Sequence, residues 1–277
     1  MKFSIVTVSF NQAAYLEDAI RSVLDQDYPN LEYIVVDPGS TDGSREIIER
    51  YRDRIDKIIY KPDSGAAEGL NNGFAVASGD IYGFLNSDDV MLPGALSRAA
   101  EAFRAHPKAD FIIGHTKLID AEGKWVRNSY SDAFNRKAFA YQACVICQQS
   151  TFFKAEIFKR SRGFNPGNKI AWDAELFLDL LEDAKRPILV DAFLSAFRVH
   201  AEGITGAAKM RPLLINFERS KFQRIMGRPW RWWDNAVAVA YLVRKYLLEP
   251  RSFWHRLRYG SIYGRYSRKA LKKRSRS

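Results

Sequence analysis

The sequence predicts an α/β protein built on a mostly parallel sheet with helices on both faces. Three observations lead there. Strand-like and helix-like apolar spacings alternate over the first hundred residues. Each strand-like segment ends in a polar cluster. A composition of 47% hydrophobic and 27% charged residues in 277 supports a sizeable core.

Lys2 to Val8 reads as a buried strand. From Ala13 to Asp25 the residues Tyr15, Leu16, Ala19, Ile20, Val23 and Leu24 recur at helical spacing. Leu31 to Val36 is a second strand. The turn Thr41-Asp42-Gly43 opens a helix from Ser44 to Arg52, and Ile55 to Tyr60 is a third strand. Gly65 to Ala77 is helical, Asp80 to Leu85 is a fourth strand, and Leu92 to Ala105 is an amphipathic helix. Asp110 to Thr116 and Gly123 to Asn128 read as strands about a turn. Gln148 to Phe153 leads into a short helix near Ala155 to Lys159. Trp172 to Glu182 is a helix, and Ile188 to Val190 and Ala196 to His200 read as two strands. Beyond Gly206 the pattern is helical and basic, roughly Pro212 to Met226, Trp232 to Leu248 and Phe253 to Arg258. The last ten residues read as a solvated basic tip.

Charge divides the chain. Residues 206–277 hold 19 Lys and Arg against 3 Asp and Glu, while residues 1–205 hold 24 against 29. The expected organisation is therefore a body over 1–205 and a basic, aromatic-rich helical extension over 206–277, which carries Trp230, Trp232, Trp233 and Trp254. Such asymmetry points to a membrane surface or a nucleic acid. No nucleic-acid recognition motif is present, which disfavours the second. The helices of the extension suit either the headgroup layer of a bilayer or a cap packed on the body. The apolar run from Ala236 to Val243 stops at Arg244-Lys245, and no run reaches the ~18 residues of a membrane span. The first ten residues lack the long apolar stretch of a signal peptide. A cytoplasmic chain, peripheral at the membrane face, is expected. Cys144 and Cys147 form one C-x-x-C without a second pair, so they read as buried thiols rather than as a zinc or redox site.

Open parallel sheets bind ligands beyond the carboxyl ends of their strands, near a switch in strand order. Here those ends read Thr7-Val8-Ser9-Phe10-Asn11, Asp37-Pro38-Gly39-Ser40, Asp63-Ser64-Gly65 and Asn86-Ser87-Asp88-Asp89. Paired carboxylates at a strand end suit a hard divalent cation, and equally a turn followed by a helix cap. Asp37 can accept a hydrogen bond from a nucleobase imide, or make an Asx-turn with Gly39. Neither a G-x-G-x-x-G after the first strand nor a G-x-x-x-x-G-K-[ST] occurs, which disfavours dinucleotide dehydrogenases and P-loop NTPases. Ser9 to Ala14 has no Lys, Arg or Gly, which disfavours a nucleotidyltransferase.

Taken in order, several segments resemble the family 2 glycosyltransferases of the GT-A fold. They are Ile5 to Asn11, Val35 to Gly43, Asp63-Ser64-Gly65 with Asn71-Asn72-Gly73, Gly79-Asp80, and Phe84 to Asp89. The series continues through Gln149 to Phe153, Gly163-Phe164-Asn165, Trp172 to Leu176 and Phe197 to His200. The resemblance implies a GT-A body with the basic extension appended. It implies that Thr7, Val8, Ser9 and Asp37 line a nucleoside pocket, with Asp37 reading uracil. It implies that Asp63, Ser64, Gly65 and Asn71 hold the nucleotide or diphosphate. Asp88 matches the second acid of the family's D-x-D motif. Asp88 and Asp89 would share ribose contact and a Mn²⁺ or Mg²⁺ ion, His200 would help bind the metal or diphosphate, and Asn86 stands where many members have Asp. Gln148 and Gln149 would face the acceptor. Asp173 matches the general base of an inverting reaction, at a helix N-terminus that favours its carboxylate and lowers its pKa.

The function so implied is metal-dependent, inverting transfer of a sugar from a UDP-sugar to a hydroxyl on a lipid-linked or polysaccharide intermediate. A nucleotide-sugar-binding protein without turnover, and a membrane-associated scaffold on the same fold, are the alternatives.

Overall fold

The computed structural model describes residues 1–183, 186–200 and 211–260. Strands β1 (Phe3–Val8), β2 (Leu31–Val36), β3 (Lys57–Ile59) and β4 (Ile81–Asn86) are all parallel. Helices α1 (Ala13–Leu24), α2 (Ser44–Arg50) and α3 (Ala66–Ala75) join them. Their order is β3-β2-β1-β4, with Val6 level with both Ile34 and Phe84. The chain steps outward from β1 on one side and then returns to pair β4 on the other. That reversal is the switch point at which such sheets bind ligands.

The sheet continues as β8 (Thr151–Lys154), β6 (Phe111–Ile119), β9 (Pro187–Arg198) and β5 (Val90–Met91), with β7 (Trp125–Ser129) paired to β6. The pairs β4–β8, β6–β8 and β5–β9 are antiparallel, so the sheet is parallel in its first half and antiparallel in its second. The remaining helices are α4 (Ala95–Ala105), α5 (Arg136–Ala140), α6 (Ala155–Arg160), α7 (Trp172–Asp183), α8 (Arg211–Met226), α9 (Asp234–Leu248) and α10 (Pro250–Tyr259). Among the described residues no helix is long and apolar enough to cross a membrane.

Two differences from the sequence reading have local causes. The expected strands at 188–190 and 196–200 are one strand, β9, because Ser195 is paired rather than exposed. Its hydroxyl meets Thr116 Oγ1 at 2.7 Å and Ser150 Oγ at 2.6 Å, so a polar residue sits inside a buried strand without cost. The helix expected from Ser44 to Arg52 stops at Arg50, and a short 3-10 turn follows over Arg52–Arg54. The expected boundary at 205/206 and the ten-residue tip lie outside the described residues.

The chain divides into two compact units, 1–116 with 147–197, and 117–146 with 198–277. The basic helices thus share a unit with residues 117–146, which the sequence groups with the body.

In the first unit, α1 and α4 bury Leu16, Ile20, Val23, Leu96, Ala99 and Phe103 against one face of the sheet. On the other, Phe74 of α3 stacks on Tyr82 and Phe164. At the amino ends of the strands, Glu32 is buried. Burial alone would raise its pKa. The Lys57 ammonium, the Ser4 hydroxyl, and the N–H and hydroxyl of Ser78 hold it instead at about 2.

In the second unit, Tyr141 and Phe222 form a core with Val237, Ala238 and Tyr241 of α9. Asp234 is enclosed there by the Tyr141 hydroxyl at 2.7 Å and by both terminal nitrogens of Arg228 at 2.7 Å. Cys144 here, and Cys147 in the first unit, are buried and make no disulfide, and burial pushes the Cys144 thiol up to about 11.

Candidate active site

The loops after β1 and β2 are laced together across their strand ends. Asn11 N–H donates to Ser40 Oγ at 2.8 Å, and Thr41 N–H to Asn11 Oδ1 at 2.9 Å. Asp42 Oδ2 accepts the Ala13 N–H at the start of α1 at 2.8 Å. Asn11 takes a positive φ of 51°, which Asn tolerates better than most residues. Its neighbour Phe10 is 59% exposed.

Beneath this lacing lie Ser9 and Asp37. The Ser9 N–H donates to the Val36 carbonyl at 2.9 Å, which seats Ser9 beside Asp37. Asp37 is fully buried. Its Oδ1 accepts from Gly39 N–H, Ser40 N–H and Arg45 Nε at 3.0, 2.8 and 3.1 Å. Its Oδ2, and the Ser9 hydroxyl, have no hydrogen-bond partner among the described residues. Buried polar atoms are normally paired, and two orphans at one strand-end crevice mark a place where a ligand donates and accepts. Arg45 also lies over the Tyr60 ring, 4.6 Å from its centroid. Thr7 is turned away. Its Oγ1 accepts the Tyr33 hydroxyl at 3.0 Å in the core, so only its backbone reaches the crevice side, and Val8 beside it is half-buried.

The loop before α3 carries Asp63, Ser64 and Gly65. Asp63 Oδ1 accepts the Gly65 N–H, and burial together with Glu68 and Asp37 pushes its pKa up. Gly69 lets α3 approach it: a Cβ there would lie 2.8 Å from Asp63 Oδ2. Asn71 is engaged elsewhere. Its Nδ2 donates to the Phe164 carbonyl and its Oδ1 accepts the Phe164 N–H, which fixes α3 to the 163–171 loop. That loop is itself fixed, because Asn165 and Asn168 both donate to Glu175, and Asn168 Oδ1 caps the N–H groups of Ile170 and Ala171 ahead of α7. It delivers Lys169, whose Nζ donates to the Ser64 carbonyl at 2.7 Å. Neither Lys169 nor Arg45 was singled out by sequence, since a lone basic residue in a loop or first helical turn carries no periodic signal.

At the end of β4, Asp88 is half-buried, and Asp89 is buried. Asp89 Oδ2 accepts Gln149 Nε2 at 2.9 Å and, more weakly, Asn86 Nδ2 at 3.4 Å. Gln148 donates to the Phe84 carbonyl at 3.1 Å. Gln148 and Gln149 are both buried, bracing the β4 turn from behind. Among the described residues no group of three or more His, Cys, Asp and Glu could hold a metal ion. His200 falls in the second unit, two residues past β9, and is half-buried.

Asp173 occupies the first turn of α7. The helix N-terminus was expected to lower its pKa. The Ala174 N–H does favour the carboxylate, but burial outweighs it and pushes the pKa up.

Comparison with known proteins follows this geometry. Residues 4–162 match the model of glycosyl transferase family 2. The chain is 40% identical over 118 residues to a putative teichuronic acid biosynthesis glycosyltransferase of Bacillus subtilis, covering 42% of this chain and 47% of that protein. It is 34% identical over 126 residues to the GalNAc(5)-diNAcBac-PP-undecaprenol beta-1,3-glucosyltransferase of Campylobacter jejuni, covering 44% and 40%. The chain thus spans less than half the length of either relative. Among solved structures, S. aureus TarS 1-349 in complex with UDP-GlcNAc superposes with a TM-score of 0.69 at 18% identity, covering 90% of this chain and 73% of that one. A mannosyltransferase of Pyrobaculum calidifontis in complex with GDP-Man and Mn²⁺ superposes with a TM-score of 0.62 at 18% identity, covering 91% and 71%. At such identities these likenesses are of fold.

Proposed function

The chain belongs to glycosyl transferase family 2, and from that membership we propose that it transfers a sugar with inversion from a UDP-sugar to a hydroxyl acceptor. The observation that carries the reading is the orphaned Oδ2 of buried Asp37 beside the orphaned Ser9 hydroxyl. A carboxylate oxygen accepts the imide N–H of uracil, and the exposed Phe10 ring beside them offers the base an apolar face.

The chemistry then assigns itself to the remaining groups. An acceptor hydroxyl attacks the anomeric carbon from the face opposite the diphosphate. Its O–H proton passes to Asp173, a C–O bond forms to the acceptor, and the bond from the anomeric carbon to the diphosphate oxygen breaks. A base gains strength as its pKa rises, so the burial that lifts Asp173 suits it to this task. Lys169, held over the Ser64 carbonyl, supplies positive charge to the departing diphosphate.

A divalent cation fits this site only in a lean form. Mg²⁺ and Mn²⁺ bind nucleotides through one or two carboxylates plus phosphate oxygens. Asp88 is the half-buried carboxylate suited to it, whereas Asp89 Oδ2 already takes two amide donors. Such an ion would neutralise charge growing on the leaving diphosphate. The names of the Bacillus and Campylobacter relatives favour an acceptor that is a polysaccharide or lipid-linked intermediate.

Calorimetric titration of UDP, GDP and dTDP tests the reading, with Mn²⁺ and then with EDTA. UDP binding is expected to exceed the others, and Asp37→Asn to weaken it by about tenfold to a hundredfold. Absence of nucleotide binding under every condition would leave the non-catalytic scaffold standing.

A further inference from the structure

Helices α9 and α10 each pack one partly buried face in the second unit and leave the opposite face apolar and open to solvent. On α9, Val237, Ala238 and Tyr241 pack against Tyr141 and Phe222, and Lys245 pairs with Asp132 at 2.7 Å. The other side presents Val239, Val243 and Leu247 at every fourth residue, exposed by 60, 53 and 77%. On α10, His255 and Tyr259 turn inward to ring contacts with Tyr130 and Trp125. Outward stand Phe253, Trp254 and Leu257, the last two 64 and 66% exposed. Trp232, just ahead of α9, is 81% exposed. The pattern is therefore not a helix that failed to pack. Each helix is anchored by one side and carries a second hydrophobic stripe that no described residue of this unit covers, and soluble proteins rarely leave such a surface bare.

Charge identifies what covers it. Residues 228–260 hold seven Lys and Arg against two acidic residues. Arg251, Arg256 and Arg258 are exposed on both flanks of the α10 stripe, and Arg244 is exposed on α9. A second copy of this surface would set arginine against arginine. A bilayer with acidic headgroups complements it, with aliphatic and Trp side chains in the acyl boundary and guanidinium groups at the phosphates. At 15 and 10 residues the two helices are too short to span and are of a length to lie in the interface. We propose that the outer faces of α9 and α10 form a docking surface for an anionic membrane. The inference goes beyond the catalytic reading and stands without it.

The test is co-sedimentation of the full chain with sucrose-loaded vesicles, either pure phosphatidylcholine or containing phosphatidylglycerol. Binding is expected only to the anionic vesicles, and to fall with added salt. The double substitution Trp254→Gln and Leu257→Gln keeps every charge and alters only exposed side chains. It is expected to weaken binding by at least about tenfold, as is Val243→Gln with Leu247→Gln on α9. A full chain that stays in the supernatant with every vesicle overturns the proposal. So does a double variant that binds as the parent does, since the basic residues alone would then account for binding. Self-association of the parent that is lost in the same variants would assign the surface to a second copy and overturn it equally. UDP titration of each variant, expected to be unchanged, keeps the two readings apart. Vesicle binding lost with UDP binding intact bears on the surface alone, and the reverse bears on the nucleotide site alone.

Discussion

Gln149 donates its side-chain amide to Asp89 across 60 residues of sequence, 2.9 Å from nitrogen to oxygen, with both residues buried. The contact explains how two acids can stand side by side at the end of β4. Amide donors within the fold stabilise the Asp89 carboxylate, which eases its repulsion toward neighbouring Asp88. Replacing Gln149 with Leu would remove the shorter of two amide donors to the buried Asp89 carboxylate. We expect a loss of about 1–3 kcal/mol in urea unfolding, with the m-value unchanged.

Asp173→Asn keeps the shape of the first turn of α7 and removes the proposed base. Turnover is expected to drop by about 10²–10⁴-fold, with UDP affinity unchanged. With Asp173 as the proposed base, kcat of the parent is expected to depend on its ionised form. Because burial raises the Asp173 pKa, the acid limb of its pH profile should lie above the ordinary aspartate value of 3.8 and vanish in the variant. A limb at or below that value would remove Asp173 from the role.

Lys169→Met should weaken binding of UDP while leaving uridine alone, because the side chain reaches the Ser64 loop rather than the base pocket. Loss of one charge-assisted contact corresponds to roughly tenfold in affinity. Equal losses for UDP and uridine would make the lysine a loop brace instead.

Glu32 governs acid stability at the opposite end of the sheet. Its folded pKa of about 2 lies below the ordinary value of 4.5, so it contributes stability above pH 4.5 that is lost as pH falls toward 2. The full contribution is roughly 3 kcal/mol. Glu32→Gln should lower the unfolding free energy at pH 7 and flatten its decline between pH 4.5 and 2.

The parallel half of the sheet was legible because it depends on local spacing. Leu16, Ala19, Ile20 and Val23 fall on one helical stripe and are all fully buried. The four polar strand ends were legible for the same reason. What sequence could not reveal was long-range pairing. Asn71 reads as a nucleotide ligand, with no sign in the sequence that Phe164, 93 residues away, pairs with both ends of its amide. Gln148 and Gln149 read as acceptor contacts, and nothing in the sequence signals that their amides donate to Phe84 and Asp89. Tyr141 meets Asp234 across 93 residues, which is why residues 117–146 join the basic helices and not the body.

Strand β8 lies between β4 and β6, although it follows both in the chain. During synthesis β4 and β6 therefore emerge from the ribosome before the strand that lies between them. Ile81, Tyr82, Phe111 and Ile112 wait for Phe152 and Phe153 and their neighbours to emerge. Until about residue 154 is clear of the exit tunnel, two apolar edges with free amide and carbonyl groups are open to any other nascent strand. The order in which this sheet is threaded thus sets a window of vulnerability in its biogenesis, closed by four residues, Thr151–Lys154.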